Sequence, residues 1–170
     1  MEAPHPDADD GPGLYADPIT LWGLVVGVHT TVNGRLDAEL QERLGIPLTW
    51  FEVLLRLART EDQRMTMTRL AESVSFSSGG FSRVADRLVA AGLLERLPCP
   101  GNRRATLAHL TEDGRRTLDA ALAAHADGVQ RLVLAHLDDA QAAALRDALH
   151  TLWRVHRPDG ARPGPVTGGR

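Results

Sequence analysis

Three observations predict a mostly helical α+β fold. Apolar residues recur at helical spacing along most of the chain. Residues suited to helix capping stand at the start of nearly every such run. The period changes only between Leu93 and Leu110, where two short strand-like runs flank a turn-rich tip.

Taken in order, residues 1–16 are rich in Pro, Gly and Asp and are expected to be disordered. They are acidic, with neither a basic n-region nor an apolar h-region, so they are not read as a secretory signal. Asp17-Pro18 is suited to start a helix, with Asp as N-cap and Pro at the first helical position. Trp22, Val25, Val26, His29, Leu36, Leu40 and Leu44 continue it, and Gly45 is placed to end it. Thr49 and Glu52 have capping-box spacing before a helix with Val53, Leu54, Leu57 and Ala58 as its stripe. Thr66 is suited to cap a third helix, reaching Val74. Ser77 is suited to cap a fourth, reaching Ala91, with Phe81, Val84, Ala85 and Leu88 apolar and Gly92 closing it.

Leu93–Leu97 and Ala105–Leu110 read as a hairpin around Pro98 to Asn102, with Arg103 and Arg104 beside the tip. Thr111 is suited to cap a long helix whose stripe runs from Leu118 to His136, about 37 Å in all. Asp138 and Gln141 form a second capping-box pattern before a last helix with Leu145, Leu149, Leu152 and Val155. Residues 157–170 are a Pro/Gly-rich tail. The long terminal helices exceed what a core of about 60 residues, with a radius of gyration near 10 Å, can cover. The simplest partner for the remainder is a second copy.

Charge narrows the function. The net charge is −3 and all nineteen basic residues are arginine. Residues 64–104 hold seven of them against three acids, whereas residues 1–63 hold four against eleven. A basic patch on an acidic body is the footprint of a localised anion contact, and chance clustering on a solvated face is the plain alternative. The single cysteine, Cys99, excludes an internal disulfide and fits a cytoplasmic setting. No run of eighteen apolar residues predicts a membrane span. Gly80 to Val84 falls short of a nucleophile elbow, and no phosphate-loop, dinucleotide or zinc-protease motif occurs. Neither an enzyme nor a bound cofactor is expected.

The order helix, turn, helix, strand, strand, with a basic second helix and a basic hairpin, is that of a winged helix-turn-helix. Thr66 to Val74 is then the positioning helix, with Thr68 and Arg69 on it. Ser75-Phe76 is the turn, and Ser77 to Ala91 is the recognition helix. The stretches LTWFEVLLRLA and MTMTRLAESVSFSSGGFSRVADRLVAAGLLERLPCPGNRRATLAHLTEDGRRTL resemble the MarR family of bacterial transcription regulators, most specifically from Phe81 to Arg115. The likeness extends more loosely over residues 18–156. It implies a homodimer with dimerisation helices at 17–46 and 112–156, and a DNA-binding lobe at 47–111. It also implies a double-stranded, pseudo-palindromic operator and repression relieved by a small anionic or aromatic effector. The alternative is a winged-helix dimer that binds a protein without specific DNA contact.

The resemblance assigns Ser77, Ser78, Gly79, Gly80, Ser82, Arg83 and Arg87 to DNA contact from the recognition helix. Arg96, Asn102, Arg103 and Arg104 are assigned to the wing. Asn102 stands where the family usually has the acid that braces the arginine at Arg104; a neutral acceptor makes that bond roughly half as strong. Asp86, a carboxylate that phosphate would repel, is read as an internal partner of an arginine. Gly79 and Gly80 leave room for the helix N-terminus to approach a phosphate, or else relieve a tight turn. Trp22, His29 and Trp50 are candidates for an effector pocket, with core packing as the plainer reading. Cys99 is read as a loop cysteine, a redox role being the alternative.

Overall fold

The computed structural model describes residues 17–74 and 78–156. The termini expected to be disordered, the Ser75-Phe76 turn and the Ser77 cap lie outside the described residues. The fold is mostly helical with one small antiparallel sheet. In chain order the elements are α1 (Pro18–Leu44), α2 (Leu48–Ala58), β1 (Arg64–Thr66), α3 (Met67–Ser73) and α4 (Ser78–Ala90). There follow β2 (Leu94–Cys99), β3 (Asn102–Leu110), α5 (Glu112–Leu132) and α6 (Asp139–His156).

Most helix ends form as their sequences predict. The Asp17 carboxylate accepts from the Thr20 N–H at 2.8 Å, and these hydrogen bonds hold its carboxyl below the usual range. Gly45 closes α1 at φ 67°. The Thr66 hydroxyl accepts from Arg69 N and the Thr111 hydroxyl from Gly114 N. Asp138 and Gln141 cap each other at 3.0 and 2.8 Å.

The capping box expected at Thr49 and Glu52 does not form. Pro47 is the cap residue and α2 begins at Leu48. The Leu48 N–H instead donates to Asp37 Oδ1 of α1 at 2.7 Å, so a carboxylate distant in sequence takes the place of the local box. The helix that starts at Thr111 is also shorter than its stripe predicts. Val133 leaves helical dihedrals, and a 3-10 turn over Leu134–His136 follows. Its i+3 bonds, His136 N to Val133 O and Leu137 N to Leu134 O, turn the chain toward α6. The remaining 21 residues span about 32 Å.

The sheet has three strands, one more than expected, in the order β1-β3-β2. β1 pairs Met65 with Ala108, making β3 the central strand. The hairpin strands run further into the tip than Leu97 and Ala105, because Gly101 at φ 79° lets Pro100-Gly101 close the turn. The core is built on α2, where Val53, Leu54 and Leu57 are fully buried, and on Leu70, Leu88 and Leu118 from the surrounding helices.

Two glycines of α5 set its position. Thr111 donates from Oγ1 to the Gly92 carbonyl at 2.7 Å and from its N–H to the Leu93 carbonyl at 3.3 Å. A Cβ on Gly114 would collide with that Leu93 oxygen and lie 2.8 Å from Leu110 Cδ1. A Cβ on Gly128 would lie 2.5 Å from Leu36 Cδ2 of α1. Beside Gly128, Arg131 joins Glu39 of α1 at 2.7 Å, and Asp127 joins Arg43 at 3.6 Å. The outer parts of the helical arms are bare by contrast. Ile19, Trp22, Leu149 and Val155 are among the exposed large apolar residues, and α6 buries none of its residues.

Gly114→Ala is expected to destabilise the fold by about 2–4 kcal/mol, through overpacking against backbone that cannot yield. Gly34→Ala, on α1 with nothing within 4 Å, is expected to gain up to about 1 kcal/mol. Urea denaturation of the two variants beside the parent checks both signs.

Candidate nucleic-acid interface

The basic segment folds onto one edge of the molecule. α4 is amphipathic. Phe81, Ala85 and Leu88 point into the core at 2% exposure or less, and Ser82, Arg83, Asp86 and Arg87 are exposed. Buried positions at i, i+4 and i+7 force i+1, i+2, i+5 and i+6 outward. The sequence therefore presents both arginines because it buries Phe81, as expected. Gly79 and Gly80 are the second and third residues of the helix. The close of α4 is also as expected: Gly92 adopts φ 72°, and the Leu93 N–H returns to the Leu88 carbonyl at 3.0 Å.

Asp86 has an arginine partner, and it comes from the strand rather than from its own helix. Arg96 of β2 donates from Nη2 to Asp86 Oδ1 at 2.5 Å. This ion pair joins α4 to the hairpin and neutralises the one carboxylate among the exposed arginines of the helix. Arg96, assigned to wing contact from sequence, is thus a brace between the two elements. On the outer face of the sheet, His109 Nδ1 lies 2.8 Å from Glu95 Oε1. Arg64 pairs with Asp62, which holds φ 56° in the loop that leads into β1.

The wing tip is irregular in a way the sequence does not announce. Pairing steps from Pro98 opposite Thr106 to Cys99 opposite Asn102. Arg103, Arg104 and Ala105 fall in that step, so the arginine pair rides on a bulge of the backbone. The side chains of Arg103, Arg104, Ser78 and Gly79 lie outside the described residues. Asn102 is the first residue of β3 and is exposed. Cys99 is half-buried, with Sγ 3.8 Å from the Pro100 carbonyl. Thr68 and Arg69 are exposed on α3, and Thr66 is engaged as its cap.

The three candidates for an effector pocket are not brought together within one chain. Trp50 packs against the core, Trp22 is 66% exposed, and His29 is exposed and bonded to Asn33 at 3.0 Å. No hydrogen bond or ring contact among the described residues joins them. His29 does face Glu52, a half-buried carboxylate of α2. Burial pushes that carboxyl up, while Arg56 and His29 pull it down. Glu52 was read only as a cap and is missing from the sequence-based site, because its position between α1 and α2 depends on how those helices cross.

Chemically, the exposed face of α4 offers the Arg83 and Arg87 guanidinium groups to an anionic partner. Among the described residues, no three His, Cys, Asp or Glu side chains are grouped to hold a metal ion. No helix among them is long and apolar enough to cross a membrane.

Comparison with known proteins agrees with this geometry. The profile of the MarR family matches residues 44–105. The multiple antibiotic resistance protein MarR of Salmonella typhimurium is 38% identical over 103 residues, which cover 59% of this chain and 68% of that protein. A MarR family transcriptional regulator from Streptomyces coelicolor, solved in complex with DNA, superposes with a TM-score of 0.72. It is 26% identical, with 88% of this chain and 94% of that one covered. A cysteine-to-serine variant of MarR from Escherichia coli, complexed with operator DNA, superposes with a TM-score of 0.69 at 28% identity over 82% and 97% of the two chains. The matched range takes in α2 to the start of β3, and the chain belongs to the MarR family of transcriptional regulators.

Proposed function

We propose that this chain is a homodimeric DNA-binding regulator that represses a nearby operon and is released by a small anionic or aromatic molecule. The observation that carries the reading is the outward face of α4. Arg83 and Arg87 stand free of the core one helical turn apart, and the neighbouring carboxylate is held by Arg96. Such a face suits the major groove, where arginine pairs with guanine O6 and N7. The bulged Arg103-Arg104 segment suits the phosphates or the minor groove beside it. Similar chains solved in complex with DNA support a DNA partner.

Dimerisation is supported by the bare apolar surface of the first half of α1 and of α6. Apolar surface of that extent on two terminal helices calls for a partner, and a second copy supplies a matching face. A two-fold dimer places two recognition helices on half-sites about one helical turn apart. An effector lodged near Trp22, His29 and Trp50 acts by favouring one spacing of the two lobes over another, which requires different affinities for the two states. Trp22 is exposed in the single chain and meets the other two only if a dimer folds α1 against its neighbour.

Genomic fragments bound in cells supply the duplex for testing. Arg83→Ala and Arg87→Ala are each expected to weaken binding by about 1–3 kcal/mol where the arginine reads a base. Arg104→Ala is expected to lower the salt slope by about one unit. Fluorescence anisotropy across a salt series measures both. Unchanged affinity in all three variants, or binding with no salt dependence, would favour the protein-binding alternative.

The brace makes a separate prediction. Asp86 and Arg96 are both exposed, so a double-mutant cycle on stability is expected to give only about 0.2–1 kcal/mol of coupling. Operator affinity is expected to fall more in Asp86→Ala than that coupling explains, and to recover partly when the two charges are exchanged. Equal losses in the single and exchanged variants would remove Asp86 and Arg96 from the binding machinery.

A further inference from the structure

α5 is packed along much of its length, through Leu118, Gly128 and the Arg131–Glu39 pair, and two further contacts stand apart at its start and its middle. At its start, Thr111 and Gly114 fix it to Gly92 and Leu93, the residues that follow the recognition helix. Fourteen residues further on, about 21 Å along the axis, His125 rests on Phe51 of α2. The two ring centroids are 4.6 Å apart and the planes are tilted by 31°.

That second contact has a polar flaw. His125 Nδ1 is buried and has no hydrogen-bond partner. A neutral imidazole bears this at modest cost. An imidazolium carries N–H donors on both nitrogens, and one of them would be buried with no acceptor. Burial holds the His125 ring below its ordinary pKa, and it is the one cause that does so. Four acids on α5 and the elements packed around it are engaged elsewhere. On α1, Glu39 is held by Arg131, and Asp37 accepts from Leu48. On α5 itself, Asp127 lies between Arg131 and Arg43. On α2, Glu52 feels Arg56 and His29. Among the described residues, burial is the one influence on the His125 ring, and no carboxylate acts on it.

We propose that the Phe51–His125 contact is an acid-sensitive seat for α5, and that a proton taken from solvent by His125 lifts the ring off Phe51 and weakens operator binding. α5 carries the shift to the recognition helix because its far end has no slack: Gly114 lies against the Leu93 backbone. Protonation costs nothing above the free imidazole value of about 6.5. As pH falls through that value, the unseated form takes up more protons than the seated one. The seated form therefore loses stability until its own, lower pKa is passed. The operator half of this inference rests on the DNA-binding reading above.

The test uses the full chain, with Tm and affinity for an in-cell-mapped duplex measured from pH 7.5 to 5.5 at constant ionic strength. The parent is expected to lose affinity over that range, together with Tm. His125→Phe keeps an aromatic on Phe51 and is expected to lose markedly less of both. Identical pH profiles for parent and variant would overturn the proposal. If His125→Phe does not fold, an NMR titration of the parent decides. An ordinary midpoint for His125, or no rise in amide exchange across α2 and α5 at the lower pH, overturns the seat. A parent that binds no duplex at pH 7.5 overturns the functional reading and the operator half with it, while the Tm comparison still decides the seat.

Discussion

Where α5 leaves the wing, Gly114 lies so close to the Leu93 carbonyl that no side chain fits between them. The arrangement of the lobe follows from that approach. Thr111 can cap α5 and also donate to Gly92 and Leu93 only because the helix starts this near. Leu93 in turn returns its N–H to Leu88, so the end of the recognition helix and the start of α5 share one short hydrogen-bonded segment. A motion of α5 cannot be absorbed there by repacking side chains, because the contact is backbone on backbone.

Burial is distributed unevenly along the two helices that flank this lobe. The second half of α1 contributes Leu36 and Leu40 to the interior, and α5 meets it through Gly128 and the Arg131–Glu39 pair. The first half of α1 and all of α6 contribute almost nothing. A helix with an apolar stripe is stable in water when the stripe is covered. The uncovered half therefore sets the terms for any partner: it must be apolar, elongated and able to lie along both helices at once.

The sequence made local features legible and left distant ones hidden. Asp17, Gly45, Thr66, Thr111 and the Asp138/Gln141 box cap their helices as read, because each acts within four residues of itself. The stripe of α4 was equally legible, since Phe81, Ala85 and Leu88 bury together and so fix where Arg83 and Arg87 point. The start of α2 was misread because its true acceptor, Asp37, sits on another helix. β1 was missed because three residues carry no measurable period, and their pairing depends on where β3 lies. The partnership of Arg96 with Asp86 was hidden for the same reason, since the two are ten residues apart across the turn. His125 drew no notice within the α5 stripe; its spacing from Leu118 and Leu122 was the available signal that it faces inward.

The acids of this chain matter to the basic edge as much as its arginines do. A net charge of −3 repels a polyanion at long range, and within a Debye length, about 8 Å in physiological salt, local charge decides the outcome. On α4 the local carboxylate is neutralised by Arg96, which leaves the field of Arg83 and Arg87 uncancelled at the surface. At the wing the usual acid is replaced by Asn102, so the bulge that carries Arg103 and Arg104 bears no negative charge of its own. A tip with no carboxylate beside its arginines strengthens the salt-dependent attraction of an anion.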